Sequence, residues 1–169
     1  RPWVINLNTR IVFITTLVLL IAGTGLFYWL EYDNTLAEHG PFGKIVTAFF
    51  GAVTPRTAGF STVDNSQLHM STVYLICFLM WVGASPASTG GGIKTSTLAI
   101  SVLNALNLAR GKNRIECFGR EISDSSVRRA STQIFLSLIT LGVAVVLVTH
   151  FDPGLPHHSI IFECISAFG

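Results

Sequence analysis

Residues 11–30 form an apolar block without one charged side chain. At 1.5 Å rise per residue, a helix of about 20 residues covers the roughly 30 Å hydrocarbon core of a bilayer. Such a segment reads as a transmembrane helix, and every other assignment must fit around it. Arg10 precedes it, and Tyr28, Trp29 and Tyr32 supply an interfacial aromatic girdle where it leaves. The acidic residues Glu31, Asp33 and Glu38 that follow point to the non-cytoplasmic side. The chain has 169 residues, enough for one soluble domain, yet 50% are hydrophobic and only 12% are charged, against about 25% charged in a soluble domain. The apolar residues come in blocks rather than at the spacing of a soluble core face, so the chain belongs in lipid. A formal net charge of +2 makes no case for nucleic acid. Cys77, Cys117 and Cys164 lack CxxC spacing, which indicates neither a disulfide framework nor a zinc site. Two of the three fall in apolar runs, where Cys acts as a small hydrophobe. The first residues lack the h-region and cleavage site of a signal peptide, and with no initiator Met the chain reads as an excerpt of a longer one.

After Gly40 and Pro41, residues 42–53 are apolar but too few to cross. They predict a re-entrant half-helix whose C-terminal end, with its partial negative charge, favours a cation. Neither face of residues 45–50 is charged, which argues against a helix lying on the membrane surface. Next comes Thr54-Pro55-Arg56-Thr57-Ala58-Gly59-Phe60-Ser61-Thr62. Irregular backbone at membrane depth is tolerated only where protein buries it or water lines it. Thr57, Ala58, Gly59 and Phe60 combine small residues, a glycine free to take positive φ and an aromatic able to wedge against surrounding helices. That composition suits a filter whose carbonyl oxygens replace an ion's hydration shell. A surface turn is the alternative reading.

A second spanning helix starts near Thr72 and breaks after about 11 residues, roughly halfway through the hydrocarbon. The break is Gly83-Ala84-Ser85-Pro86-Ala87-Ser88-Thr89-Gly90-Gly91-Gly92, and helical pattern resumes from Ile93 to about Leu108. Arg110, Lys112, Arg114, Arg120, Arg128 and Arg129 outnumber Glu116, Glu121 and Asp124 in the following linker, residues 109–130, which is therefore assigned to the cytoplasm. Arg1 and Arg10 put the N-terminus on the same side. The two assignments agree only if the segment 42–60 enters and leaves on the outer face. A third spanning helix is expected from about residue 131 or 133 to His150, with a turn at Asp152-Pro153-Gly154 and a second short apolar segment over 160–169. The order of spanning helix, outer turn and half-helix thus occurs twice, an internal repeat of a pseudo-symmetric membrane assembly.

Five features invite other chemistry. Ser88-Thr89-Gly90-Gly91-Gly92-Ile93-Lys94-Thr95 looks like a phosphate loop, but Ile93 separates Gly from Lys and no strand precedes it. The Gly-rich break is read instead as a gate, with glycines as hinges and Ser/Thr hydroxyls satisfying backbone groups. Lys94 is either functional, because an ammonium near the midplane is costly unless paired or facing water, or it snorkels or caps a half-helix. Ser85 has no intramembrane base to take its proton, and His157 and His158 are placed in an outer loop rather than a metal site. Glu163 is read as a buttressing carboxylate near the pore, or as a plain helix-start acid.

Arg56 with Thr57-Ala58-Gly59-Phe60, the break followed by Ile93-Lys94-Thr95, and the closing Phe162-Glu163-Cys164-Ile165-Ser166-Ala167-Phe168-Gly169 together resemble the Trk/Ktr/HKT superfamily of potassium transporters. The break is the most specific of the three. Family members carry four helix, pore loop, helix repeats around one pore. The resemblance implies an all-α integral membrane fold, with residues 1–108 as the third repeat and residues 131–169 as the fourth, up to the end of its pore helix. It implies that Thr57, Ala58, Gly59 and Phe60 are one quarter of a selectivity filter, with K+ held by the carbonyls of Thr57, Ala58 and Gly59. It makes the loop from Gly83 to Gly92, with Lys94, an intramembrane gate. It further implies multi-pass insertion in the cytoplasmic membrane, the remaining repeats as partners, a homodimer, and a cytoplasmic nucleotide-binding regulatory subunit, without an organic cofactor. The basic linker is the expected docking site for that subunit, with anionic lipid an equal candidate. Pro86 departs from the small residue common in the family, which stiffens the loop. A Na+-permeable relative would share all these features; a membrane enzyme built on Ser85 or His157/His158 is the reading from another class.

Overall fold

The computed structural model describes residues 7–60, 62–64, 67–86, 88–111, 116–117, 120–152 and 154–169. Six helices are found among them: α1 Leu7–Glu31, α2 Pro41–Val53, α3 Met70–Trp81, α4 Thr95–Ala109, α5 Asp124–Phe151 and α6 His157–Phe168. Between α4 and α5 lies a small antiparallel pair, β1 Glu116–Cys117 and β2 Arg120–Glu121. Among the described residues only α1 and α5, of 25 and 28 residues, are long and apolar enough to cross a membrane. Both leave most of their apolar surface uncovered, including Phe13, Ile21, Phe135 and Val146, each about two-thirds exposed. A soluble domain would hide such helices in its core; here they face outward, as helices in lipid or against further helices do.

Two clusters fix how the helices run. At one end Ile11, Ala99 and Ile122 pack with Leu7, Leu103 and Val127, joining the start of α1 to α4 and to the start of α5. At the other end Phe27, Leu36, Ala48 and Ile76 pack with Leu68, Leu75 and Phe162, joining the end of α1 to α2, α3 and α6. The helices α3 and α4 therefore run antiparallel to α1 as two parts of one interrupted run. Their 12 and 15 residues amount to about 18 Å and about 22 Å of helix. Short helices α2 and α6 start at the Glu31 end, with Pro41 in the first turn of α2, where its missing N–H costs nothing. Small residues let α2 approach α1: a methyl group added to Gly51 would lie 2.7 Å from the Phe27 ring, and one on Gly23 would lie 3.2 Å from Ala52.

Two boundaries differ from expectation. α5 begins at Asp124 rather than near residue 131, so Arg128 and Arg129 lie on its first turns. Asp124 sits favourably against the positive helix N-terminus, and the extended Ser123 precedes it. His157 and His158 form the first turn of α6 rather than a loop, because Pro156 supplies the extended residue from which the helix starts and its carbonyl receives the N–H of Ser159 and Ile160.

Polar bonds lock α5 onto the interrupted crossing. The Trp81 indole donates to Ser137 Oγ at 3.2 Å, and Thr97 Oγ1 donates to Gln133 Oε1 at 2.8 Å. A double-mutant cycle of Trp81→Phe with Ser137→Ala, read by thermal unfolding in detergent, is expected to give a coupling of about 0.6 kcal/mol and no more than about 1.7 kcal/mol. Zero coupling would show the contact to be incidental.

Candidate functional site

The C-terminal turn of α2 runs into a tight loop. Thr54 N bonds back to Phe50, Arg56 N to Val53, and Ala58 N and Gly59 N both reach the Thr54 carbonyl at 3.1 and 3.3 Å. Thr54 Oγ1 donates to the Phe60 carbonyl and closes the loop. Gly59 has φ +75, which glycine adopts freely, but Thr57 has φ +70, where a β-branched side chain is strained by about 1–2 kcal/mol. Thr57, Ala58, Gly59 and Phe60 are all exposed. Among the described residues no donor reaches the carbonyls of Thr57, Ala58 or Gly59. Phe60 does not wedge between helices: it is 72% exposed, because its carbonyl is tied to Thr54 and its ring is left facing outward. Ser61 and Ala87 lie outside the described residues.

The Gly-rich break is a closed excursion. Ile93 N donates to the Trp81 carbonyl at 2.9 Å, so the chain resumes where α3 stopped. Gly83 and the pair Gly91–Gly92 lie back to back, and a methyl group on Gly83 would fall 1.9 Å from the Gly91 carbonyl oxygen. Gly92 takes φ +69. Within the excursion Ser88 N reaches the Ser85 carbonyl at 3.1 Å, beside Pro86, whose fixed φ suits a tight reversal. Ser88 Oγ accepts from Gly90 N at 3.1 Å, as expected of a hydroxyl satisfying freed backbone.

The two loops touch. A methyl group on Gly90 would lie 3.1 Å from the Thr57 hydroxyl, and Arg56 Nη2 donates to the Gly83 carbonyl at 3.3 Å. From the other side α6 ends on the same excursion: Gly92 N donates to the Phe168 carbonyl at 3.2 Å, and Gly91 packs on Gly169. The C-terminal ends of two half-helices thus converge on one loop, and both bring partial negative charge. Lys94 precedes α4 but makes no cap bond to it; its ammonium reaches back to the Gly90 carbonyl at 2.6 Å. Glu163 lies exposed on the middle of α6 rather than at its start, beside a cleft of about 460 Å³ that it shares with Leu68, Val73 and His158.

Sequence reasoning missed Glu31. Its buried carboxylate accepts from Thr72 Oγ1, from His69 N at 2.9 Å, from Asn34 Nδ2 at 2.8 Å and from Thr35 Oγ1 at 2.9 Å. It staples the end of α1 to the start of α3. The helical spacing of Asn34 and Thr35, three and four residues on, was the available signal.

Two long apolar helices that bare their surface, with two short helices ending on the interruption between α3 and α4, define the class as a helical membrane protein. The chain belongs to the TrkH family, described as cation transport protein, which it matches over residues 4–169. It is thus of a transporter family, not an enzyme family. It is 38% identical over 171 residues to the potassium/sodium uptake protein NtpJ of Enterococcus hirae, covering 98% of this chain and 38% of that protein. It is 34% identical over 166 residues to the Ktr system potassium uptake protein B of Vibrio alginolyticus, covering 97% of this chain and 36% of that one. With the Ktr system potassium uptake protein D of Bacillus subtilis it shares 31% over 172 residues, covering 100% and 37%. The chain therefore spans less than two-fifths of the length of these relatives.

Proposed function

We propose that this chain carries one filter segment and the gate of a potassium-uptake protein of the cytoplasmic membrane. Residues 1–109 are its third helix, pore loop, helix repeat, residues 110–123 its basic cytoplasmic linker, and residues 124–169, with α5 and α6, the start of the fourth repeat. The carrying observation is that the carbonyls of Thr57, Ala58 and Gly59 have no donor among the described residues, at the C-terminal end of α2. Unbonded carbonyls at the negative end of a helix are the ligands a dehydrating K+ needs. The loop from Gly83 to Gly92, whose Gly90 lies against Thr57, serves in this reading as the gate.

In this reading the remaining repeats supply the other filter segments. A homodimer and a nucleotide-binding regulatory subunit complete the assembly, the latter docking near Arg110 and the exposed Arg129 at the Leu7 end. Sodium permeation is the second reading, favoured by the relative named for potassium and sodium uptake.

Rb+ uptake into potassium-depleted cells carrying the intact transporter, with and without excess Na+, tests both. Gly59→Asp should reduce uptake at least tenfold or abolish its preference over Na+. It forces a Cβ into positive φ and puts a carboxylate at the ion path, whereas the space around Gly59 is open and excludes a packing effect. Normal uptake in the variant would return residues 57–60 to a turn, and uptake that Na+ suppresses in the parent would favour the sodium reading.

A further inference from the structure

We propose that Lys94 is the latch of this gate: its ammonium holds the loop folded under Thr57, and the loop opens by breaking that contact while α3 and α4 stay in place. The proposal rests on the gating reading above.

Lys94 occupies the position before the first turn of α4, where Ser, Thr, Asn or Asp is preferred and where the helix dipole disfavours a cation. It has no carboxylate partner among the described residues, and it is half-buried. A cation so placed is locally unfavourable and needs an interaction elsewhere to offset it. The Gly90 carbonyl at 2.6 Å, a charge-assisted distance, provides one, and the Ser88 carbonyl lies at 3.5 Å.

The segment being held has little order of its own. Gly90, Gly91 and Gly92 have the widest conformational freedom of any residues. From within the loop region the polar ties on this stretch are the Gly90 N–H to Ser88 Oγ bond and the ammonium, while the Gly92 N–H is held from outside by the Phe168 carbonyl at the end of α6. Gly90 is also the residue against Thr57. A short path therefore runs from Nζ through the Gly90 carbonyl to the filter loop, and removing the charge frees the part of the loop that lies under it. The ends of the excursion are fixed independently, by the Ile93 to Trp81 bond and the Gly83 contact with Gly91 and Gly92, so release of the middle leaves the crossing intact.

The test uses the intact transporter in cells, with Lys94→Met, Lys94→Gln and Lys94→Arg, beside a variant with residues 85–90 deleted. Two readouts are taken: Rb+ uptake, and the rate at which a membrane-impermeant methanethiosulfonate labels Ser88→Cys. Loss of the charge in Met and Gln should raise uptake several-fold and speed labelling on the order of tenfold, whereas Arg should stay near the parent. Parent-like uptake and labelling in Met and Gln, with faster uptake in the deletion, overturns the latch and leaves the gate standing. Unchanged uptake in the deletion overturns the gate reading itself, and the latch with it. Failure of both Met and Gln to insert in the membrane would make Lys94 a folding residue and overturn the latch as well.

Discussion

Gly83→Ala is expected to lower the thermal stability of the purified transporter by about 3 kcal/mol, the upper end of overpacking penalties. The added methyl group would fall 1.9 Å from the Gly91 carbonyl oxygen, 2.8 Å from its carbon and 3.0 Å from Gly92 Cα. All three are backbone atoms, so no side chain can swing aside. The only relief is to part the two strands of the excursion, which also stretches the Ile93 to Trp81 hydrogen bond that rejoins α4 to α3. The control is Gly25→Ala on α1, where nothing lies within 4 Å of the added carbon and the helix gains roughly 0.5–1 kcal/mol. A Gly83→Ala protein that melts with the parent would show that the neck of the loop is looser than this packing.

Glu31→Leu is expected to cost about 3–5 kcal/mol, seen as a large fall in melting temperature in detergent and as poor accumulation in the membrane. The carboxylate is fully buried, and its two oxygens divide the donors between them. Oε1 takes Thr72 Oγ1 and His69 N, and Oε2 takes Asn34 Nδ2 and Thr35 Oγ1. Leucine matches the volume but leaves these donors unsatisfied at the junction of α1 and α3. Glu31→Gln is expected to fall between, since its amide keeps one acceptor and turns a donor toward donors. Equal stability of all three proteins would mean that water replaces the carboxylate, and the staple would lose its importance. Asn34 Nδ2 also donates to the Gln67 carbonyl at 2.7 Å, so the loop after the filter segment is tied into the same knot. Its loosening should therefore reach the 54–60 loop.

Much of the framework was legible because it follows from local rules. Hydropathy and length identified α1 and the body of α5, and a dozen apolar residues after Gly40 and Pro41 marked α2. The glycine cluster marked the interruption to within about two residues at each end, since neither helix propensity nor lipid tolerates it as regular helix. The start of α5 is not legible from charge alone: basic Arg128 and Arg129 suit a linker and a helix equally, and Asp124 is favourable only once a helix N-terminus lies beside it. His157 and His158 were likewise assigned by polarity, when Pro156 was the stronger signal.

The amino-acid sequence by itself determined that this is a helical membrane chain, where its helices lie, where one of them is interrupted, and which family pattern it carries. Those properties depend on hydropathy, propensity and motif, each confined to a short window. Only the tertiary structure decided that Gly90 rests on Thr57, that Lys94 turns back to Gly90 rather than capping α4, and that Glu31 joins α1 to α3. These contacts pair groups up to 41 residues apart. They exist because α2 and α6 pack against α1 and α3, with close approaches that small residues such as Gly51 allow, and no local rule encodes which distant polar groups that packing brings within hydrogen-bond reach.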